Sequence, residues 1–221
     1  MTIAAKICGL NSAETIAAAV DGGAALVGFV FYPPSPRHVS PATCAALAAA
    51  VPESVSRVGV MVDPTNNAID DLFSEIKLDY VQLHGSETPD RVDAIRARTG
   101  AGIIKAIKVA AADDVATAQN YRDVADRVLF DAKPPKVGNG ILPGGNALAF
   151  DWRLIGAATD LAGGLPWLLS GGLDVDNVGE AVRISGARAV DVSSGVETAP
   201  GQKDCALIHE FLTKVASLQA E

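Results

Sequence analysis

Two hydrophobic rhythms alternate along this chain. Short runs of four to seven residues, rich in Val, Ile and Phe, are each followed by an Ala-rich stretch whose apolar positions recur at helical spacing. The strand-type runs fall at 3–8, 25–31, 56–62, 80–83, 103–109, 127–131, 167–170 and 189–192. The helical patterns fall between and after them, at 13–21, 41–51, 68–76, 89–99, 113–124, 151–162, 175–185 and 204–218. Cap signals agree with this division: Asn11-Ser12, Ser40 before Pro41, and Thr65 to Asn67 each precede a helical run. Eight strands alternating with eight helices predict an α/β protein, a single (β/α)8 TIM barrel over residues 1–221, short beside the ~250 residues typical of that fold. A doubly wound sheet is the runner-up. It would usually carry a G-x-G-x-x-G turn after the first strand, where this chain reads Cys8-Gly9-Leu10-Asn11-Ser12.

Strand side chains alternate between the two faces of a sheet, so the apolar parity of each run identifies the helix-facing side. Ile3, Ala5 and Ile7 leave Lys6 and Cys8 pointing into the barrel. By the same argument Gln82 and His84, Leu129 and Asp131, and Asp191 and Ser193 face inward. Buried polar groups are costly unless paired or used, and most of these lie at C-terminal strand ends, where barrel enzymes place their sites. The first and last strands are neighbours in a closed barrel, so Lys6 and Asp191 are expected to form a mainly structural ion pair one step below Cys8 and Ser193. Asp191 can touch a substrate from there. Lys6, a step below the thiol, is given no part in tuning it.

The rim carries the candidate chemistry. A thiol at Cys8 and a carboxylate at Asp131 can divide acid and base work. Ser170-Gly171-Gly172-Leu173 follows the seventh strand and Ser193-Ser194-Gly195 the eighth, the pair of loops between which barrels often hold phosphate. Glycines there let backbone N–H groups approach the oxygens, and hydroxyls add donors. Gly144-Gly145-Asn146 can add more from the neighbouring loop. After the second strand, prolines stiffen Tyr32-Pro33-Pro34-Ser35-Pro36-Arg37, and a guanidinium on a stiff loop suits bidentate capture of a carboxylate. His38 reads as structural or exposed, and His209 falls on the last helix. The Pro- and Gly-rich stretch 133–149 is long for a connection in a compact domain, which usually marks a functional or mobile loop.

Composition removes some alternatives. Lys plus Arg is 18 against 26 Asp plus Glu, a net charge of -8, so the chain lacks the electrostatic footprint of nucleic-acid binding. The longest near-apolar stretch, 22–32, is too short for a membrane span. Cys8, Cys44 and Cys205 are odd in number and without zinc-ligand spacing, so neither a disulfide framework nor a metal site is expected. Reduced thiols and the lack of a signal-peptide pattern at the N-terminus point to the cytoplasm.

Taken in order, the motifs resemble the phosphoribosylanthranilate isomerase family of tryptophan biosynthesis nearly end to end. They are Lys6-Ile7-Cys8-Gly9, Gly28-Phe29-Val30-Phe31 with Ser35-Pro36-Arg37, Val58-Gly59-Val60, Val81-Gln82-Leu83-His84-Gly85 and Asp131. Gly144-Gly145 before Phe150-Asp151-Trp152, Ser170-Gly171-Gly172-Leu173, Asp191 to Glu197, Pro200-Gly201 and Lys203-Asp204 complete the set. One departure is Gly144-Gly145-Asn146-Ala147, where the family usually has Gly-Gly-Thr-Gly or similar. The resemblance implies Cys8 as general base, Asp131 as general acid and Arg37 as holder of the anthranilate carboxylate. Gly145, Gly171, Gly172, Ser194 and Gly195 then fall in phosphate-binding loops, with Gln82, His84 and Asp191 lining the site. It further implies a cofactor-free Amadori rearrangement of N-(5-phosphoribosyl)anthranilate, with no metal, by a monomer or homodimer. With reference pKa values of about 8.5 for Cys and 3.9 for Asp, those roles need a lowered thiol pKa or substrate-assisted deprotonation, and a raised carboxyl pKa.

Three other readings compete. The related isomerase of histidine biosynthesis uses aspartates as both acid and base, which Cys8 and the lack of half-barrel repeats disfavour. A metal-dependent epimerase needs His and Asp ligands on several strands, and only His84 stands at a strand end. A non-catalytic phosphate-ligand binder would keep the glycine loops without needing Cys8 or Asp131.

Overall fold

A computed structural model describes residues 2–133, 144, 150–156 and 164–218. Eight parallel strands close on themselves in sequence order. They are β1 (Ala4–Cys8), β2 (Leu26–Phe31), β3 (Ser56–Met61), β4 (Tyr80–Leu83), β5 (Gly102–Val109), β6 (Arg127–Ala132), β7 (Trp167–Leu169) and β8 (Ala189–Val192). The helices are α1 (Ala13–Asp21), α2 (Pro41–Ala48), α3 (Asn66–Glu75), α4 (Pro89–Thr99), α5 (Ala112–Ala116), α6 (Arg153–Gly156), α7 (Val178–Ser185) and α8 (Cys205–Ser217). The expected (β/α)8 barrel is therefore the observed one. Most of the expected 133–149 loop and the later part of the expected 151–162 helix lie outside the described residues.

The alternation read from sequence becomes two apolar layers. Ile7, Val27, Phe29, Val81, Ile103 and Phe130 face out and pack under the helices. Leu26, Val58, Ile104, Ala106, Leu129 and Leu168 fill the barrel interior. This inner plug fills the barrel below the C-terminal strand ends. The helices begin where short oxygen-bearing side chains satisfy first-turn N–H groups: Ser12 accepts from Thr15, Ser40 from Thr43 and Thr65 from Ala68.

Two elements depart from expectation. The helical pattern at 113–124 resolves into the single turn α5 and a 3-10 segment, Thr117–Tyr121. Thr, Asn and Tyr are weak helix formers, and tertiary contacts tighten the segment. The Tyr121 hydroxyl donates to the Glu87 carbonyl at 2.9 Å, and its ring lies 5.7 Å from the Lys105 ammonium. After β8 comes an antiparallel hairpin, β9 (Glu197–Ala199) with β10 (Gln202–Lys203), too short to show any periodicity in sequence.

Lys105 anchors the loop after β4 from below. Its ammonium donates to the Leu83 carbonyl (3.2 Å), the Gly85 carbonyl (2.9 Å) and Glu87 Oε2 (2.7 Å). Glu87 in turn accepts from the Asp63 and Gly85 backbone N–H groups. Burial works against both charges. It pulls the Lys105 pKa below the usual lysine value, while the Lys105 ammonium holds the Glu87 carboxyl below its own ordinary value despite burial. A depressed folded-state carboxyl pKa contributes stability above the unfolded value of about 4.3, which is lost as pH falls through the folded one. Glu87→Gln leaves a buried ammonium without its counter-charge and is expected to lower unfolding free energy by about 3–5 kcal/mol at neutral pH. Urea denaturation checks this, and a loss below about 1 kcal/mol would show that the pair is dispensable.

Candidate active site

The C-terminal strand ends surround a half-open cleft. Cys8, Arg37, Gln82, His84, Asp131, Gly171, Gly172, Asp191 and Ser194 all line it, so most of the residues chosen from sequence meet in one place. Gly195 sits behind the wall. A Cβ there would come within 2.0 Å of the Leu173 carbonyl, so its bareness lets the loops after β7 and β8 touch. Gly145 lies outside the described residues, while Gly144 lies at the cleft. His38 is exposed, and His209 is exposed on α8.

Lys6 and Asp191 are register partners across the β1–β8 seam. Lys6 Nζ donates to Asp191 Oδ1 at 2.6 Å, and Ser170 Oγ donates to Asp191 Oδ2 at 3.0 Å. The expected pair is present, and the ammonium, assigned no part in tuning the thiol from sequence, also lies close to it. Both converge over Gly28 of β2, where a Cβ would lie 3.0 Å from Cys8 Sγ and 3.1 Å from Lys6 Nζ. The long lysine stem spans the strand step that backbone register implies, and the glycine leaves room for it. Burial pushes the Cys8 thiol above its ordinary pKa, against the downward pull of Lys6. Burial also opposes the Lys6 charge, but Asp191 and Cys8 hold its pKa above the usual lysine value. The resting group is therefore a neutral thiol beside a committed cation.

Across the cleft, Asp131 is held from two sides. Its Oδ1 accepts from the Ala132 backbone N–H at 2.9 Å, and its Oδ2 lies 3.1 Å from His84 Nε2. His84 Nδ1 in turn lies 3.0 Å from Gln82 Nε2. Gly144 covers the His84–Asp131 contact so closely that a Cβ would fall within 2.9 Å of both side chains. Gly171, at φ +89°, adopts a left-handed backbone that suits glycine, and a Cβ there would strike the Ala132 amide at 2.7 Å.

The β9–β10 hairpin supplies a cluster whose roles were not read from sequence. Glu197 accepts from Arg37 Nε and Nη2 in a two-point fork, both at 2.7 Å. Its Oε1 also accepts from Lys203 Nζ at 2.7 Å, and Lys203 reaches the Ser193 carbonyl at 2.8 Å. Ser193 Oγ donates to the Cys8 carbonyl at 3.1 Å, which joins the hairpin to the end of β1. Burial is the largest influence on Lys203 and lowers its pKa, whereas Arg37 and Lys203 keep the buried Glu197 carboxyl below its usual value. Two cations around one carboxylate leave this side of the cleft electropositive. The only sequence signal was the presence of these residues in the ordered motifs.

A parallel (β/α)8 barrel with a thiol and a carboxylic acid facing each other over a cleft, and glycine loops after β7 and β8, belongs to the class of barrel enzymes that work on phosphorylated substrates. Comparison with known proteins specifies the family. A family model described as N-(5'phosphoribosyl)anthranilate (PRA) isomerase matches residues 5–214. The N-(5'-phosphoribosyl)anthranilate isomerase of Paracoccus denitrificans (strain Pd 1222) is 52% identical over 217 residues, covering 98% of this chain and 99% of that protein. The solved phosphoribosyl anthranilate isomerase of Thermotoga maritima superposes with a TM-score of 0.86 at 38% identity, over 98% of this chain and 100% of that one. A phosphoribosyl anthranilate isomerase solved in complex with reduced 1-(o-carboxyphenylamino)-1-deoxyribulose 5-phosphate gives 0.83 at 36% identity with the same coverage. The chain belongs to the N-(5'-phosphoribosyl)anthranilate isomerase family.

The crowding over Gly28 yields a direct test. In Gly28→Ala the new methyl displaces the thiol, the ammonium or both by a few tenths of an ångström. Overpacking of this kind costs about 1–3 kcal/mol and leaves the fold intact. We expect Tm to fall modestly and the rate of Cys8 alkylation by iodoacetamide to change several-fold. Unchanged alkylation would show that Lys6 and Cys8 do not share this space.

Proposed function

We propose that this chain catalyses the Amadori rearrangement of N-(5-phosphoribosyl)anthranilate to 1-(2-carboxyphenylamino)-1-deoxyribulose 5-phosphate without a cofactor, with Cys8 as base and Asp131 as acid. The observation that carries the reading is that these two groups face one cleft between an electropositive side and a phosphate-type pair of loops. The phosphate is assigned to Gly171, Gly172, Ser194, Gly144 and Gly145, with Gly195 shaping the loop behind them. Arg37, oriented by the Glu197 fork, faces the anthranilate carboxylate. Val30, Tyr32 and Val60 supply an apolar wall for the aromatic ring.

In this assignment Asp131 gives its proton to the furanose ring oxygen as the C1–O bond breaks and the nitrogen lone pair forms the imine. Cys8 takes the proton from C2, and the C–H electrons move into the C1–C2 bond of an enolamine, with the protonated imine as the electron sink. Collapse to the ketone returns a proton to C1 and releases the one on the 2-hydroxyl, so no proton is consumed overall. The raised thiol pKa keeps the resting base protonated, so the role requires substrate-assisted deprotonation, the second of the two routes open from sequence. Lys6 beside the sulfur would stabilise the thiolate as it forms, and the Asp191 bond would keep the ammonium in place.

Each proton transfer is worth roughly 10²–10⁴ in rate. Cys8→Ala and Asp131→Asn are expected to lose turnover on at least that scale. The assay generates phosphoribosylanthranilate in situ and follows the loss of its anthranilate-type fluorescence. Near-wild-type turnover by either folded variant would remove that residue from the mechanism. No acceleration by the folded wild type would overturn the assignment as a whole.

A further inference from the structure

We infer that the Gln82 amide selects the tautomer of His84 and so governs whether Asp131 holds the proton it donates. This makes Gln82 a positioning residue for the acid, and the inference rests on the reading of Asp131 as that acid.

Gln82, His84 and Asp131 form a three-part ladder at the end of β4 and β6, and all three are buried. With Gln82 Nε2 donating to His84 Nδ1, that ring nitrogen is an acceptor. The ring proton then sits on Nε2 and is donated to the Asp131 carboxylate. The His84–Asp131 pair holds one proton in this arrangement, and Asp131 has none to give. The same arrangement leaves Gln82 Oε1 buried with no hydrogen-bond partner among the described residues. A buried carbonyl oxygen without a donor is unfavourable and calls for an explanation.

Turning the amide by half a rotation about its terminal bond gives a second arrangement, in which the NH2 group instead of the oxygen faces the position that offers no partner among the described residues. Oε1 then accepts from Nδ1–H, which frees His84 Nε2 to accept from a protonated Asp131 Oδ2. The pair now holds two protons: hydronium in the solvent gives one up and becomes water as the O–H bond forms on Asp131, and the ring loses its proton from Nε2 to solvent and gains one on Nδ1. The two amide orientations are thus the discharged and loaded states of the acid. Gly144 lies against the His84–Asp131 contact, where any side chain would intrude on both groups.

Other charges border the pair. Lys108 on β5 is the register partner of Asp131. Cys8, Arg37 and Asp191 share the cleft, with Lys6 behind Asp191, Glu197 and Lys203 behind Arg37, and Asp63 and Glu87 in the loops after β3 and β4. Two substitutions at Gln82 leave all of these in place and bias the ladder in opposite directions. Gln82→Met removes the acceptor for Nδ1–H and disfavours the two-proton state. Gln82→Glu supplies a stronger, anionic acceptor and favours it. The acid must carry its proton, so turnover falls as pH rises through the alkaline limb. That limb is expected to move down by about one pH unit in Gln82→Met and up by about one in Gln82→Glu. Neutral-pH kcat of the Met variant should drop about tenfold, with KM changed less than about threefold.

The independent readout is the tautomer itself, in ¹⁵N-histidine-labelled protein without substrate. The chain has three histidines, and His38 and His209 are exposed. Wild-type His84 should show its proton on Nε2 at alkaline pH, and Gln82→Glu should move it to Nδ1. Shifts of the two limbs in the same direction, or an unchanged His84 signature in Gln82→Glu, would overturn the inference. The glutamate is isosteric with glutamine, so it carries the test alone if the methionine variant fails to fold. Full activity in Asp131→Asn would instead remove the acid assignment and leave the tautomer measurement to stand by itself.

Discussion

An ammonium group with no access to solvent sets the terms for the whole rim. Lys6 sits inside the barrel and must be answered there, because an uncompensated charge in such a place costs several kcal/mol. Asp191 answers it from β8, and Ser170 holds the other oxygen of that carboxylate from β7. Three strands from opposite ends of the chain are thereby fixed relative to each other at the level where Cys8 emerges. Replacing the pair by apolar residues could serve the barrel as well. Keeping it places a fixed positive charge beside a sulfur whose burial alone would hold it neutral.

The same logic repeats one layer higher. Glu197 forks Arg37, accepts from Lys203, and through Lys203 and Ser193 is tied to the backbone at Cys8. An arginine on the β2 loop is aimed by a carboxylate that follows β8, so neither is positioned by its own element. Bidentate pairing fixes the plane of the guanidinium as well as its position, which a single lysine contact would not do. On the far side of the cleft Gln82, His84 and Asp131 form a hydrogen-bonded ladder across β4 and β6. In the proposed reading the site sets a fixed guanidinium near the carboxylate end of the substrate and the Gln82–His84–Asp131 ladder near its reacting ring.

Much of this was legible along the chain because strand alternation is a local property. Once Ile7, Val81, Phe130 and Val192 are assigned to the helix side, Lys6, Cys8, Gln82, Asp131 and Asp191 have nowhere to point but inward. The loops after β7 and β8 announced themselves by paired glycines and serines. The Lys105–Glu87 anchor did not. Lys105 occupies the outward, apolar parity of β5, and the Glu87 carboxylate, the carbonyls of the neighbouring loop and a tyrosine from another segment make that position habitable. The 3-10 turn at Thr117–Tyr121 was likewise hidden, since its Ala and polar residues read as helix until Tyr121 is tied to Glu87.

The sequence by itself determined the succession of strands and helices, the face each strand gives to the barrel, and the set of side chains that reach its rim. These follow from periods of two and 3.6 residues, which the backbone enforces over a few neighbours. Tertiary structure alone decided that Lys6 reaches the Cys8 sulfur over Gly28, that Glu197 and Lys203 lie behind Arg37, and that Gln82 ends in an unanswered oxygen. Each of those facts depends on groups brought together by barrel closure or by the reach of a long side chain. Local periodicity has no term for either.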